Sequence, residues 1–383
     1  MAFKKLVGLD IGSSNLRAIE ATFKDDVIEE ITVVASVPLT SQVIKNGSLE
    51  SYDSFLVAVK SLFADNNIKT KDVVVAINGQ SVLTRLVPGL QNEKNDEIFD
   101  KTLPYKMSEV IPTGVGNYYL GAHTIDEYID NRGKKPQILR DCLVVGIEKI
   151  NLDPIIHALE EAGLRVHGVD IAPLAIIRSI LRTPEALEKR YASIDIGGDI
   201  TTIVVHKNGI PEYIRTINGI GGNIINQRIA EELGLKINKA ESEKFKALGS
   251  QNQLAENSTS VFGGGAEGLE AGSAEADLAQ AINIIVAQEA TITIKQIRDT
   301  LTDAITFSDI IDSPIDEVVL SGGGSGINTM ASRMENELGI PVVYNTPFNG
   351  IKLESNIMKR IEGGELRPYE YTAAFGLLFG GRY

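Results

Sequence analysis

The first eighty residues alternate between short apolar runs and one amphipathic stretch, the pattern of an α/β domain. Leu6–Glu20 predicts two strands around a Gly-Ser-Ser turn, and Val27–Ser36 predicts another strand. In Leu49–Asn66 the apolar residues recur at helical spacing, which predicts a helix. Val73–Ile77 then predicts a short buried strand. We therefore expect a sheet flanked by helices, with a first domain formed by residues 1–80 and 167–190.

Residues 81–166 have a different pattern, in which strands and helices are less regularly alternated. We interpret this region as a small α+β subdomain inserted in the first half of the chain. Its predicted elements are the strands Ser81–Pro88, Tyr118–Ile125 and Gln137–Ile147 and the helices Asn95–Lys106 and Asp153–Ala162.

The second half returns to the α/β pattern and predicts a second domain over residues 191–383. Ala192–His206 predicts another strand–turn–strand, and Gly249–Gly272, rich in Ser, Asn, Gln and Gly, predicts a mobile surface loop. A helical subdomain is expected at about 228–305. The other predicted elements are the helices Val169–Leu181, Gly219–Leu233, Lys239–Leu248, Ala274–Leu301, Ile327–Leu338 and Ala373–Leu378 and the strand Val318–Leu320.

An internal repeat relates the two halves. Leu9–Ser14 and Ile194–Asp199 share the order apolar–Asp–Ile–Gly–small, and an apolar strand follows each of them. Repeat periods of about 20–50 residues are typical of solenoids, whereas this spacing is half of the chain. The repeat therefore predicts two similar α/β domains that face each other.

Composition excludes several classes of function. Acidic residues outnumber Lys and Arg by 51 to 37, a formal net charge of −14, and the sequence has no long basic run. A nucleic-acid-binding role is therefore not expected. The single cysteine, Cys142, cannot form a disulfide within the chain and is expected in the core. The sequence has no apolar run of about 18 residues, so we expect a cytoplasmic chain without direct membrane insertion.

The repeated turns carry the chemistry that phosphate recognition needs. Gly12, Ser13, Ser14 and Asn15 can direct backbone N–H and hydroxyl groups at phosphate, and Gly197 and Gly198 occupy the matching turn. Asp10 and Asp195 would repel phosphate directly but can hold a hydrated Mg²⁺ through water. A single turn of this kind is more often a plain β-hairpin. The pair, at equivalent places in the two halves, favours a clamp around one nucleotide.

A third glycine cluster follows the predicted strand Val318–Leu320. Gly322, Gly323 and Gly324 lie between this strand and a predicted helix, which is where ligands bind in open α/β sheets. A tight strand–helix connection would explain this cluster equally well if it stood alone.

The three clusters, in this order, resemble the motifs of the actin-like ATPase superfamily. The resemblance spans nearly the whole chain and implies two phosphate loops, an adenosine loop, and ATP with Mg²⁺ as ligands. Within the superfamily the chain is similar to the FtsA/PilM family. The similar pieces are Gly8–Glu20, Ile44–Gly47, Arg85 with Pro88, Ile111-Pro112, Ala162–Leu164, Val169–Ala175, Gly221–Asn223, and Ala240-Glu241 with Lys244.

The resemblance implies further site residues. Gly221 and Gly222 would lie near the phosphates, and Glu241 and Lys244 would reach the adenosine, although a solvated helical face would also explain the latter two. Arg17 stands where the family usually has Lys, which keeps the charge and changes the geometry of a phosphate contact. Asp170 is the nearest candidate for a residue that orients the attacking water, and a helix-cap carboxylate before Pro173 explains it at least as well.

The resemblance also implies a function. It indicates an ATP-binding adaptor with weak ATPase activity at the inner membrane, in type IV pilus assembly or a related secretion system. ATP would set the shape of residues 81–166, which with their neighbour would form a groove for the N-terminal cytoplasmic tail of a PilN-like inner-membrane protein. Pilus motor ATPases and self-association are further expected contacts, and the chain would be peripheral to the membrane.

Two alternatives remain open at this stage. One is an FtsA-like cell-division adaptor or filament protein. The absence of a basic amphipathic stretch after the last predicted helix favours the pilus interpretation over it. The other is a small-molecule kinase on the same fold. For that function the inserted subdomain is too small to form a substrate pocket.

Overall fold

A computed structural model of the chain describes residues 4–40, 43–79, 82–91, 96–108, 111, 114–133, 135–258, 274–307, 314–327 and 329–380. Its strands are β1 (Lys5–Ile11), β2 (Asn15–Lys24), β3 (Val27–Pro38), β4 (Ile44–Lys45), β5 (Ser48–Leu49), β6 (Asp72–Ile77), β7 (Val82–Gln91), β8 (Tyr118–Asp130), β9 (Gln137–Glu148), β10 (Arg165–Ile171), β11 (Arg190–Ile196), β12 (Ile200–Lys207), β13 (Ile210–Asn218), β14 (Glu317–Ser321), β15 (Val342–Tyr344) and β16 (Lys352–Leu353). Its helices are α1 (Tyr52–Asp65), α2 (Asp96–Met107), α3 (Lys149–Glu161), α4 (Ala172–Ile180), α5 (Pro184–Glu188), α6 (Gly222–Leu233), α7 (Ile237–Ser258), α8 (Ala274–Phe307), α9 (Met330–Leu338), α10 (Ser355–Glu362) and α11 (Thr372–Gly376).

The two halves are built on sheets of the same topology. The first sheet has the strand order β10-β6-β1-β2-β3-β16, and the second has β15-β14-β11-β12-β13. In each, the first strand of the half pairs antiparallel with the strand that follows it and parallel with a later strand, β6 or β14. Five strands therefore correspond one to one, which confirms the two similar α/β halves that the repeat predicts.

Each sheet buries its apolar side chains against helices. One face of the first sheet packs on α1 and α3, and its other face packs on α4 and α11. In the second sheet, α6, α7, α8 and α9 cover one face and form the largest apolar cluster of the described residues. Apolar burial of this extent is the main favourable term in folding, and it fixes the strand ends that carry the predicted motifs.

The inserted region has its own sheet, in the order β7-β9-β8, and its own small core. Cys142 is fully buried there, as predicted, beside Phe99, Leu103 and Met107 of α2. Helix α3, which the sequence assigns to this subdomain, instead contributes its buried face to the core of the first sheet. The domain boundaries drawn from the sequence stay a prediction.

Two of the differences from the sequence predictions have a local cause. Arg165–Ile171 forms the edge strand β10, which the pattern does not predict because a bulge between Val166 and Gly168 breaks its alternation. Residues 249–258, predicted as part of a mobile loop, continue helix α7, since Gln, Leu, Ala and Glu in this stretch are good helix formers. The rest of that predicted loop, apart from these ten residues, lies outside the described residues.

The last helix packs against the first sheet with backbone touching backbone. A Cβ atom on Gly8 of β1 would lie 2.0 Å from the carbonyl oxygen of Ala374. A Cβ atom on Gly376 would lie 1.7 Å from the carbonyl oxygen of Ala175 in α4. Helices α4 and α11 are therefore held together, and to β1, at a distance that only glycine permits.

We predict that Gly376→Ala destabilises the protein. The added methyl group meets backbone, which cannot rotate away, so we expect a loss of at least about 2 kcal/mol in the free energy of unfolding. Denaturant unfolding checks this, with Gly121→Ala as the control, because a Cβ atom at Gly121 meets no atom within 4 Å. Equal stability of the two variants would contradict this packing.

Candidate functional site

The two Asp-x-Gly turns contact each other across the cleft between the sheets. The first turn joins β1 to β2, and the second joins β11 to β12. The backbone amide of Asp199 donates a hydrogen bond to the Ser13 hydroxyl at 3.0 Å, and the Ser14 hydroxyl donates one to the Asn223 side chain at 3.0 Å. The two repeated motifs therefore lie in direct contact.

Glycine makes this approach possible. A Cβ atom on Gly198 would lie 2.1 Å from the Ser14 hydroxyl oxygen, and one on Gly221 would lie 2.3 Å from the Gly198 carbonyl oxygen. At Gly324 a Cβ atom would lie 2.8 Å from the Gly197 carbonyl oxygen. A side chain at Gly198 would push the two halves apart, and side chains at Gly221 or Gly324 would displace the second turn, so this wall of the cleft is made of backbone. Backbone of this kind can donate amide hydrogens to a phosphate group.

Two carboxylates lie behind the turns, each two residues before the glycine of its turn. Asp10 is the penultimate residue of β1, and Asp195 is the penultimate residue of β11. Burial raises the pKa of Asp10 to about 7; Arg17 opposes this effect and Asp195 adds to it. Burial also raises the pKa of Asp195, against a hydrogen bond that the Ser321 hydroxyl donates at 2.7 Å and against the charge of Arg17. A cation in the cleft would stabilise the ionised form of both groups.

The guanidinium of Arg17 extends into the cleft near the third glycine cluster. Its Nη2 atom would lie 2.9 Å from a Cβ atom on Gly323, and it lies 3.5 Å from Oε2 of Glu370. Its Nε atom is buried and has no hydrogen-bond partner among the described residues. Buried donors of this kind are normally paired, so an anion beside Arg17 would complete the arrangement.

The opposite wall is formed by α6 and α7. The Lys244 ammonium is buried and donates a hydrogen bond to the Gly222 carbonyl at 3.3 Å. Burial lowers the pKa of Lys244 to about 8, and the neighbouring Glu241 opposes this effect. Phe245, half exposed, and the buried Asn226 extend the same wall. This side of the cleft offers both polar groups and an aromatic face.

The cleft encloses about 130 Å³. Pockets for drug-sized ligands are larger, at roughly 300 Å³ or more, so the two halves must separate somewhat to admit a nucleotide. We call this arrangement, in which the two turns are in contact, the closed cleft.

The structure brings nearly all of the residues predicted from the sequence to this one cleft. Gly221 supports the wall from behind, in contact with the second turn. The predicted residues that line the cleft are Asp10, Gly12, Ser13, Ser14, Asn15, Arg17, Asp195, Gly197, Gly198, Gly222, Glu241, Lys244, Gly322, Gly323 and Gly324.

Asp170 is elsewhere. It does not line the cleft, and its carboxylate forms an ion pair with Arg178 and accepts a hydrogen bond from the backbone amide of Ile171 at 2.7 Å. A carboxylate held in this way is not placed to orient a water molecule in the cleft. It is also not the cap of α4, because that position belongs to Ile171.

Several lining residues were missed by the sequence analysis. Asn78 follows the end of β6 and donates a hydrogen bond to the Thr202 hydroxyl at 2.9 Å, so it links the two halves. The rule that ligands bind beyond the carboxyl ends of parallel strands could have found it. Asn226 and Phe245 follow Gly222 and Glu241 by one helical turn, and that spacing was also available. Glu370 carries no signal in the sequence.

Two sheets of one topology, joined across a cleft by paired Asp-x-Gly turns, place the chain in the actin-like class. A solved structure described as a PilM-PilN type IV pilus biogenesis complex has the same fold, with a TM-score of 0.76, 18% sequence identity, and coverage of 99% of this chain and 98% of that chain. The ethanolamine utilization protein EutJ from Carboxydothermus hydrogenoformans is more distant, with a TM-score of 0.51, 14% identity, and coverage of 99% and 91%.

Within this class, the chain belongs to the family of type IV pilus assembly protein PilM. The model of that family matches residues 8–253, more than half of the chain. A model of cell division protein FtsA matches residues 192–376. The resemblance inferred from the sequence is thereby confirmed at the level of the family.

Two curated relatives are cell division proteins. FtsA of Bacillus subtilis (strain 168) is 28% identical over 258 residues, which are 63% of this chain and 57% of that protein. FtsA of Streptococcus pneumoniae serotype 2 (strain D39 / NCTC 7466) is 23% identical over 365 residues, 89% of this chain and 75% of that protein. The match thus spans less than two thirds of the Bacillus protein.

The described residues contain neither a membrane-spanning helix nor a cluster of metal ligands. None of the helices described is both long enough and apolar enough to cross a membrane. In the same part of the chain, no group of three or more His, Cys, Asp or Glu is arranged to hold a metal ion.

We predict that Asp10→Asn changes the dependence of stability on pH. The pKa of Asp10 rises from 3.8 to about 7 on folding, so its contribution to stability is present below 3.8 and is lost as the pH rises to about 7. Asparagine does not ionise, so the variant does not lose this stability as the pH rises. At pH 8 the variant should exceed the wild type by on the order of 1–2 kcal/mol, because solvent reaching the cleft screens part of the full effect.

Urea unfolding at pH 5 and pH 8 measures this difference. Asp65→Asn, at an exposed position at the end of α1, is the control and should follow the wild type at both values. A gap between Asp10→Asn and the wild type that does not grow with pH would contradict the raised pKa.

Proposed function

We propose that this chain is an ATP-binding adaptor of the inner-membrane machinery that assembles type IV pili or a related secretion system. The observation that carries the proposal is the direct contact of the two Asp-x-Gly turns around a cleft with Asp10, Asp195 and Arg17. Membership of the PilM family supports the pilus context.

The cleft fits a nucleoside triphosphate with its cation. In this proposal, the turns at 12–15 and 197–198, together with Gly221 and Gly222, hold the phosphates. The cluster at 322–324 and the wall around Lys244 hold the adenosine. The buried Nε atom of Arg17, which lacks a partner among the described residues, supports an anion at this point. Asp10 and Asp195 would hold Mg²⁺ through its water ligands, and the cation would neutralise phosphate charge.

ATP acts here mainly as a conformational ligand. Asp10 and Asp195 are set back behind the turns, and Asp170 is held by Arg178 outside the cleft. We therefore expect slow ATP hydrolysis. A ligand that bridges both turns favours the closed cleft by its differential affinity for that state.

A second cavity, of about 600 Å³, lies where the inserted region meets the rest of the molecule. We call it the groove. It is bounded by β8, α4 and the turn between β12 and β13, and among its lining residues are Thr124, Ile177, Arg178, Leu181, Arg182 and Phe379.

We propose that the groove binds the N-terminal cytoplasmic tail of a PilN-like inner-membrane protein. Strand β8 is an edge strand of its sheet, so an extended peptide can add to this edge while the peptide side chains contact Ile177, Leu181 and Phe379 in the groove. The structural neighbour described as a PilM-PilN complex supports a partner of this kind.

Such a partner gives the chain its place in the cell. In this proposal the chain is cytoplasmic and lies at the inner face of the membrane through its partner, with no insertion of its own. Contacts with pilus motor ATPases and self-association belong to the same proposal, and binding to nucleic acid does not. The net charge of −14 supports the exclusion of nucleic acid.

An FtsA-like adaptor of cell division is the second candidate. The FtsA model matches residues 192–376, and the two curated relatives named above are FtsA proteins. The ATP cleft would serve either function. The identity of the protein that binds in the groove distinguishes the pilus function from the cell-division function.

We predict that Mg-ATP raises the melting temperature of the wild type and has a much smaller effect on Asp10→Ala and Asp195→Ala. At a free concentration one hundred times the dissociation constant, binding adds about 2.7 kcal/mol to stability. A thermal-shift titration checks this, with the exposed Asp65→Ala as the control. An unchanged melting temperature of the wild type at millimolar Mg-ATP would contradict nucleotide binding.

We predict that Thr124→Trp, which fills the groove from β8, weakens binding of the tail peptide at least about tenfold, since a bulky group displaces peptide contacts. Asp126→Trp, at an exposed position on the same strand outside the lining, is the control. Fluorescence anisotropy with the labelled tail of the PilN-like protein from the same organism measures both affinities. Equal affinity of the two variants would place the peptide elsewhere.

A further inference from the structure

One element of the chain lies in the walls of both cavities. We call Pro368–Phe379 the terminal segment; it comprises a 3₁₀ turn, α11 and a second 3₁₀ turn. Glu370 and Ala373 line the cleft, and Phe379 lines the groove. The terminal segment therefore connects the cleft to the groove through only a dozen residues.

The terminal segment has little room to deform. Gly376 meets the backbone of Ala175 in α4, and Gly8 meets the backbone of Ala374, in each case closer than a side chain would allow. Interfaces packed to this density transmit strain instead of absorbing it. Helix α4 must therefore follow α11 when that helix moves.

At the groove, the segment supports the charged wall. The Nε atom of Arg178 donates a hydrogen bond to the Gly376 carbonyl at 3.2 Å. The guanidinium of Arg182 lies over the ring of Phe375 at 5.2 Å, and Phe375 packs edge to face against Phe379 at 5.1 Å. A shift of α11 would reposition Arg178, Arg182 and Phe379 together.

At the cleft, the segment is held through charge. Oε2 of Glu370 lies 3.5 Å from Arg17 Nη2, which is a long and therefore weak ion pair. Part of Arg17 is buried with no partner among the described residues. If the cleft binds a triphosphate, as proposed above, several negative charges arrive beside Arg17 and compete with Glu370 for it.

We propose that Glu370 senses the phosphate and that the terminal segment carries the signal to the groove. Nucleotide binding draws Arg17 to the phosphates, releases Glu370, and moves α11 with α4, so that affinity for the peptide changes. This inference rests on the proposed nucleotide function and adds the residue and the element that couple its two sites. By linkage, the peptide changes nucleotide affinity by the same factor.

The absence of tryptophan from the sequence allows two clean reporters. Phe245→Trp reports on the cleft, and Phe379→Trp reports on the groove. Each reporter is titrated with Mg-ATP in three backgrounds. These are the chain without further substitution, Glu370→Gln, and Glu365→Gln as a control at an exposed position just before the terminal segment. Glutamine keeps the size of Glu370 and removes the charge that competes for Arg17.

We expect both reporters to respond in the unsubstituted and Glu365→Gln backgrounds. In Glu370→Gln, the Phe245→Trp signal should persist and Mg-ATP should bind roughly 2- to 5-fold more tightly, the usual effect of a partly exposed charge pair. The Phe379→Trp response should be lost. In the chain without substitutions, Mg-ATP should also change amide hydrogen exchange over residues 177–182.

The outcomes separate the two proposals. No heat of Mg-ATP binding in calorimetry on the chain without substitutions, together with no response of Phe245→Trp, would overturn the nucleotide function and the coupling with it. A response at Phe245→Trp together with a full response at Phe379→Trp in Glu370→Gln would overturn the coupling alone. Weaker Mg-ATP binding in Glu370→Gln, or unchanged exchange over residues 177–182, would do the same.

Discussion

The architecture depends on the contact between two glycine turns. Ser13 and Ser14 of the first turn touch Gly198 and Asp199 of the second, at a distance that leaves no room for a side chain. Because each turn ends the central antiparallel pair of its own sheet, the contact between the turns sets how the two halves face each other, together with the hydrogen bond from Asn78 to Thr202. The cleft between the two sheets of equal topology lies where the turns meet. The same contact explains why the wall of the cleft is backbone, which suits it to phosphate.

The electrostatics of the cleft follow from this enclosure. Two carboxylates and one guanidinium are brought together in a space that solvent reaches poorly, so burial raises the pKa of Asp10 and of Asp195. Arg17 offsets part of this cost, but its Nε atom and its long ion pair with Glu370 leave it under-satisfied. The triphosphate would supply the negative charge that Arg17 lacks, and its cation would supply the positive charge that Asp10 and Asp195 lack. In this view the ligand completes a site whose own groups are not balanced, and that imbalance links the cleft to the terminal segment.

The sequence predicts the two halves and most of the lining of the cleft, because the motifs lie at strand ends that are set by local pattern. It fails where position depends on contacts distant in the chain. Glu370 reaches the cleft only because α11 packs back against the first sheet. No sequence pattern around residue 370 predicts this packing. Asp170 was named as the nearest candidate to orient the attacking water, whereas Arg178 holds it outside the cleft. Strand β10 was not predicted because its bulge breaks the alternation of apolar and polar residues.

Isothermal titration calorimetry with Mg-ATP, on the wild type and on Gly198→Val, tests the central claim most directly. The valine side chain would meet the hydroxyls of Ser13 and Ser14 and force the two turns apart, without altering the chemistry of Asp10, Asp195 or Arg17. We predict one Mg-ATP bound per wild-type chain and an affinity at least about a hundredfold lower in Gly198→Val, the equivalent of about 2.7 kcal/mol. No binding to the wild type, or equal affinity in Gly198→Val, would contradict the claim that contact between the turns creates the nucleotide site.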